Sequence, residues 1–237
     1  MSEGATMSLE RAFENQESVI TIPLDVSDSA AVTAAFERVD RELGRLDILV
    51  NSAGINAPTP EANQRIVDAN LKAVDDMRKG RTPRFDYLED TTDDEFRRVM
   101  EVNLFGQFYT IRSAVPLLKR SSGGAIVNVS SVAALAGVAI PLYYPASKAG
   151  VLGLTRAAAA ELAPYDIRVN AIAPGSVDTP LMRQQPDEFV QFLVGTQRIP
   201  RLATPREVAE MVVFLCDDET GGFYTGQTIS PNGGIHM

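Results

Sequence analysis

Five short runs rich in β-branched residues alternate along this chain with helical patterns of ten residues or more. The runs are 19–24, 46–50, 125–129, 167–172 and 227–230. The longer helical patterns are 30–43, 93–119, 144–162 and 205–215, and a short one covers 8–17 behind the cap residue Ser8. Strands of this length are buried on both faces only when helices cross over between them, so the alternation predicts a parallel sheet with helices on both sides. Right-handed crossovers make that a doubly wound α/β fold. No repeat or flexible linker interrupts the pattern, so residues 1–237 read as one domain.

Composition narrows the function classes. Lys and Arg number 22 against 31 Asp and Glu, a net charge of -9. A nucleic-acid partner needs a basic face, so none is expected. The lone Cys216 excludes an internal disulfide and a cysteine-based zinc site, and no metal site is expected. It also fits a reducing cytoplasm. Residues 1–15 have no apolar signal core, and the longest uncharged stretch, 132–147, is broken by Gly137, Pro141 and Pro145. No membrane association is expected.

The chemistry concentrates at strand ends. Tyr144 and Lys148 stand four apart at the start of a helix and share a face. An ammonium beside a phenol favours the phenolate, which makes tyrosine a usable acid or base near neutral pH. Tyr143, five residues from Lys148, points off that face. A Tyr-x-x-x-Lys pair also occurs on ordinary helix surfaces, so its surroundings matter. Ser131 follows the strand 125–129, and Asn51-Ser52-Ala53-Gly54 follows the strand 46–50. Both lie at the carboxyl ends of parallel strands, where open α/β sheets bind ligands. Asn103 sits inside the helix 93–119, where asparagine is a mediocre helix former. His236, next to the chain end, reads as a surface residue, and Cys216 as a small buried hydrophobe.

Together these motifs resemble the short-chain dehydrogenase/reductase family, from about Val19 to Gly234. Asn103, Ser131, Tyr144 and Lys148 match the family's catalytic tetrad. Asp25-Val26 resembles its adenine-contacting pair. Asn51, Ala53 and Gly54 match its Asn-Asn-Ala-Gly motif, with Ser52 for the second Asn. Pro174, Gly175, Val177 and Thr179 resemble the segment that meets the nicotinamide carboxamide, and Asn232-Gly233-Gly234 the closing motif. The resemblance implies a Rossmann-type sheet and hydride transfer between NAD or NADP and a secondary alcohol or ketone. In that scheme Tyr144 moves the hydroxyl proton, Lys148 lowers its pKa and holds the nicotinamide ribose, Ser131 polarises the carbonyl, and Asn103 positions a relay water. It also implies a homodimer or homotetramer, with the small residues Ala149, Gly153, Ala157 and Ala160 on the helix that pairs between subunits.

Two departures stand out. The glycine-rich turn that holds the cofactor pyrophosphate has no counterpart, since Gly4 is the only glycine before Gly44. The first strand, first helix and second strand are therefore expected to be missing, through a wrong start site or a real loss. The residue that separates NAD from NADP falls in that second strand. A loss would expose an apolar sheet edge and leave, as an alternative, a catalytically impaired fold member acting through association. The second departure is an inserted helical arm at about 55–92, read as a lid or partner arm or as a solvated decoration. Thr59 caps its helix, Pro60 begins it, Val67, Leu71 and Val74 share one face, and Gly80 and Pro83 end it. Met182, Phe189, Phe192, Leu193 and Val194 could line a substrate pocket.

Overall fold

The computed structural model describes residues 19–121 and 123–237, so the short helix expected at 8–17 lies outside the described residues. In chain order the elements are α1 (Ser29–Leu43), β1 (Ile48–Asn51), α2 (Pro60–Arg78), the single turn α3 (Tyr87–Asp90) and α4 (Asp93–Met100). A π-helical turn at Glu101–Phe105 joins α4 to α5 (Gly106–Leu118). Then come β2 (Gly124–Val129), α6 (Tyr143–Leu162), β3 (Ile167–Ile172), α7 (Asp187–Thr196), α8 (Pro205–Cys216), the short α9 (Asp218–Gly221) and β4 (Thr228–Ile229).

The four strands form one parallel sheet in the order β1-β2-β3-β4. Its two faces are apolar because successive side chains point to opposite sides. Ile126 and Val169 face α5 and α6, meeting Ile111, Leu118, Ala158 and Leu162. Val127 and Ile172 face α8, meeting Leu215, Val208 and Val212. Burying a side chain such as Ile126 or Leu118, each 0 % exposed, is worth about 1.5–3 kcal/mol.

Local signals set the helix ends. The Asp28 carboxylate accepts from the backbone N–H groups of Ala30 and Ala31 at the start of α1, and Gly44 ends it at φ 72°. Thr92 and Glu95 form a capping box at α4, as Thr204 and Glu207 do at α8. Arg168 on β3 donates to the carbonyls of Leu215, Cys216 and Gly221 and to Asp218. One guanidinium thus satisfies the orphan carbonyls at the end of α8.

One expectation is corrected. Residues 19–24 form no strand. A strand exists through its ladder partner, and no described strand lies beside this segment; Val19 and Ile20 stay 37% and 48% exposed. In α2 the buried face is Ala62, Ile66, Asn70, Ala73 and Val74, while Leu71 is exposed. The outer edge of β1 pairs with no described strand, and Ile48 and Val50 are exposed on it.

Candidate active site

The carboxyl ends of β1, β2 and β3 bring Asn51, Ser131 and Pro174 to one rim of the sheet. The N-terminal turn of α6 covers that rim with Tyr144 and Lys148. Lys148 is 4 % exposed, and its Nζ donates to the Val129 carbonyl at 3.0 Å. Burial lowers its pKa to about 8. Ser131 caps a short 3-10 turn, and its Oγ accepts from the Ala133 N–H at 3.2 Å. For Tyr144 burial raises the pKa, and a hydrogen bond with Ser131 works against that rise. The Lys148 ammonium lies 5.9 Å from the Tyr144 ring centroid. Desolvation, rather than the ammonium, dominates the phenol in this state, contrary to the expectation from spacing alone.

Asn103 is fully buried in the π-helical turn. Its Nδ2 donates to the Ile55 carbonyl and to Ser147 Oγ, and its Oδ1 accepts from the Ile55 N–H at 2.8 Å. The side chain is therefore a two-way clamp on the chain just after Gly54. A Cβ on Gly54 would stand 3.2 Å from Lys148 Nζ and 3.3 Å from Asn103 Oδ1. The clamp thus brings bare backbone beside the lysine. Ser147 Oγ donates in turn to the Tyr144 carbonyl, and Ser130 Oγ to the Lys148 carbonyl. Ser130 and Ser147 escaped the sequence reading because a serine on a helix or strand end ordinarily faces water. Their positions directly before Ser131 and Lys148 were the available signal.

The other expected cofactor residues divide into two groups. Asn51 Nδ2 donates to Asn128 Oδ1, and Asn51 Oδ1 accepts from Thr110, so it ties β1 to β2 and α5. Ala53 is exposed on the same rim. Gly175 passes so close to Asn232 that a Cβ would stand 2.8 Å from its Cα. Val177 pairs with Ala203 through an isolated bridge, and Thr179 Oγ1 accepts from the Met182 N–H. These residues sit at or beyond the ends of β1 and β3. Asp25 lies apart, bound to Ser27 and to Arg98 at 3.2 Å. Its carboxyl is held at about 2, chiefly by the Ser27 hydroxyl. Val26 packs on the start of α5, where a Cβ on Gly106 would come within 2.8 Å of it.

The residues at the rim fit the nicotinamide end of a dinucleotide in their chemistry: a buried ammonium on Lys148 stands with the Ser131 hydroxyl and the Tyr144 phenol beside the Gly54 backbone. A parallel sheet with this rim defines a Rossmann-type oxidoreductase. A model of the short chain dehydrogenase family matches residues 2–188. The chain belongs to that family, whose members are NAD(P)-dependent enzymes. It is 36% identical to trans-4-hydroxycyclohexanecarboxylate dehydrogenase of Sinomonas cyclohexanicum over 213 residues, 90% of this chain and 69% of that protein. It is 34% identical to the 3-oxoacyl-[acyl-carrier-protein] reductase FabG of Thermotoga maritima, covering 90% of this chain and 75% of the relative. Ligand-free aldohexose dehydrogenase of Thermoplasma acidophilum superposes with a TM-score of 0.76 at 29% identity, covering 93% of this chain and 80% of the other. The alternative of association alone finds no support among these enzymes.

Proposed function

We propose that this chain transfers a hydride between NAD or NADP and a secondary alcohol or ketone, with Tyr144, Ser131, Lys148 and Asn103 as its working residues. The observation that carries the reading is the convergence of these four side chains on one rim of the sheet. The nicotinamide cofactor supplies or takes the hydride. In the reducing direction Tyr144 gives its phenolic proton to the carbonyl oxygen, and Ser131 donates a hydrogen bond to the same oxygen. Lys148 keeps positive charge beside the phenolate that remains and would donate to the ribose hydroxyls of the bound cofactor. Asn103 has spent both N–H donors on Ile55 and Ser147, so it acts on the site by positioning. Asp25 and Val26 would meet the adenine side, and Asn51, Ala53, Gly54, Pro174, Gly175, Val177 and Thr179 the ribose and carboxamide.

The names of the relatives span cyclic hydroxy acids, acyl-carrier thioesters and sugars. What they share is a hydroxyl or carbonyl on a mid-sized carbon skeleton, and that is the substrate class proposed here. The protein acts in the cytoplasm as a homodimer or homotetramer; among the described residues no helix is long and apolar enough to cross a membrane. The test is turnover. The purified chain is mixed with NADH or NADPH and a panel of cyclic ketones, and consumption of the reduced cofactor is followed. Substrate-dependent consumption is expected with at least one pair. Its absence across the panel with both cofactors contradicts the reading.

A further inference from the structure

The inserted arm makes a second cleft, away from the tetrad. It lies between α2, the segment around α3 and the loop before α6, and encloses about 120 Å³. None of Asn103, Ser131, Tyr144 and Lys148 lines it. Its apolar walls are Ala62, Ile66, Ala69 and Phe85, the last stacked on Tyr87 with ring centroids 5.1 Å apart. Tyr143 closes one side and is only 3 % exposed.

Two phenols line it, and one of them lacks a partner. The Tyr87 hydroxyl is buried with no hydrogen bond among the described residues. The Tyr143 hydroxyl lies in the same cleft but is not one of the buried groups left without a partner. A buried hydroxyl without a partner forfeits free energy that an incoming acceptor restores. Burial pushes both phenols up to about 12, so each remains an O–H donor at neutral pH. The charges around the cleft balance: Arg65, Lys72 and Arg84 against Asp86, Asp90 and Glu95. No net field favours an ion. An enclosed apolar cavity of about 150 Å³ holds benzene; this cleft is a little smaller, at about 120 Å³, but open to solvent, so a single small ring is the largest occupant it suits.

We propose that this cleft binds a neutral six-membered-ring compound whose carbonyl oxygen accepts from the tyrosine hydroxyls. The site is separate from the reaction proposed above and stands or falls without it. Its probe is δ-valerolactam, a neutral ring amide that a nicotinamide cofactor does not reduce. Binding is followed by NMR shifts of the Ile66 methyl groups and the tyrosine rings. A ligand of this size should saturate in the millimolar range. Tyr87→Phe should weaken it about fivefold to tenfold. Ala69→Leu should fill the cleft and abolish it, while Tyr144→Phe leaves it unchanged. Benzoate, of similar size but charged, should bind more weakly. The proposal is overturned if the lactam does not saturate, if it binds both cleft variants like the parent protein, or if benzoate binds more tightly.

Discussion

Lys148 carries the sharpest single-residue consequence. Its burial disfavours the ammonium and lowers the pKa from 10.5 to about 8. The unfolded chain holds that proton up to its ordinary value. Between about 8 and 10.5 the unfolded state therefore binds more protons, and stability rises with pH across that window. The shift amounts to roughly 3 kcal/mol in all. Lys148→Met removes the increment. Denaturant unfolding of both proteins at stepped pH should show the stability of the parent protein gaining on the variant as pH climbs from about 8; parallel curves would contradict this. Asn103 gives a second prediction. Asn103→Leu orphans the N–H and C=O of Ile55 and takes from Ser147 Oγ the donor it accepts from, at a cost of about 2–4 kcal/mol. Thermal unfolding measures it, and a loss below about 0.5 kcal/mol would show the clamp to be idle.

At the scale of elements, legibility depended on whether a signal is local. The Thr92–Glu95 capping box and the Asp28 cap are local signals, since their partners sit within three residues. The run 19–24 was misread because β-branched propensity needs a neighbouring strand to act on. The face of α2 that carries Val67, Leu71 and Val74 is not the one most buried, although Val74 is buried. The packing instead selects Ala62, Ile66 and Ala73 and buries Asn70, which donates to Gln185 at 2.8 Å. That bond, with the Arg78–Glu188 pair, ties the inserted arm to α7 and its approach. Arg168 shows the same dependence on distant partners. Its contacts at the end of α8 span some fifty residues of sequence and could not be inferred from spacing. Arg168→Met should cost about 2–3 kcal/mol by leaving those carbonyls unpaired, read as a lowered midpoint in urea. An unchanged midpoint would mean that water replaces the guanidinium.

At the scale of the whole molecule, the parallel sheet with helices on both sides followed from the alternation of strands and helices, although the expected strand at 19–24 is not part of it. The second cleft did not, since it depends on how an inserted segment folds back. Assembly is a prediction at this scale. Ala149, Gly153, Ala157 and Ala160 are exposed along one face of α6, and a Cβ on Gly153 would meet nothing within 4 Å. Light scattering should report a dimer or tetramer, and Ala157→Glu should shift it toward the monomer. A parent protein that is monomeric would refute the assembly.

The central claim is that Tyr144 moves the proton at a site that binds the nicotinamide cofactor independently of it. The direct measurement compares cofactor binding and single-turnover hydride transfer in the parent protein and Tyr144→Phe. The account predicts a transfer rate lowered about 10²–10⁴-fold with cofactor affinity within a factor of about two. Equal rates in the two proteins would contradict it.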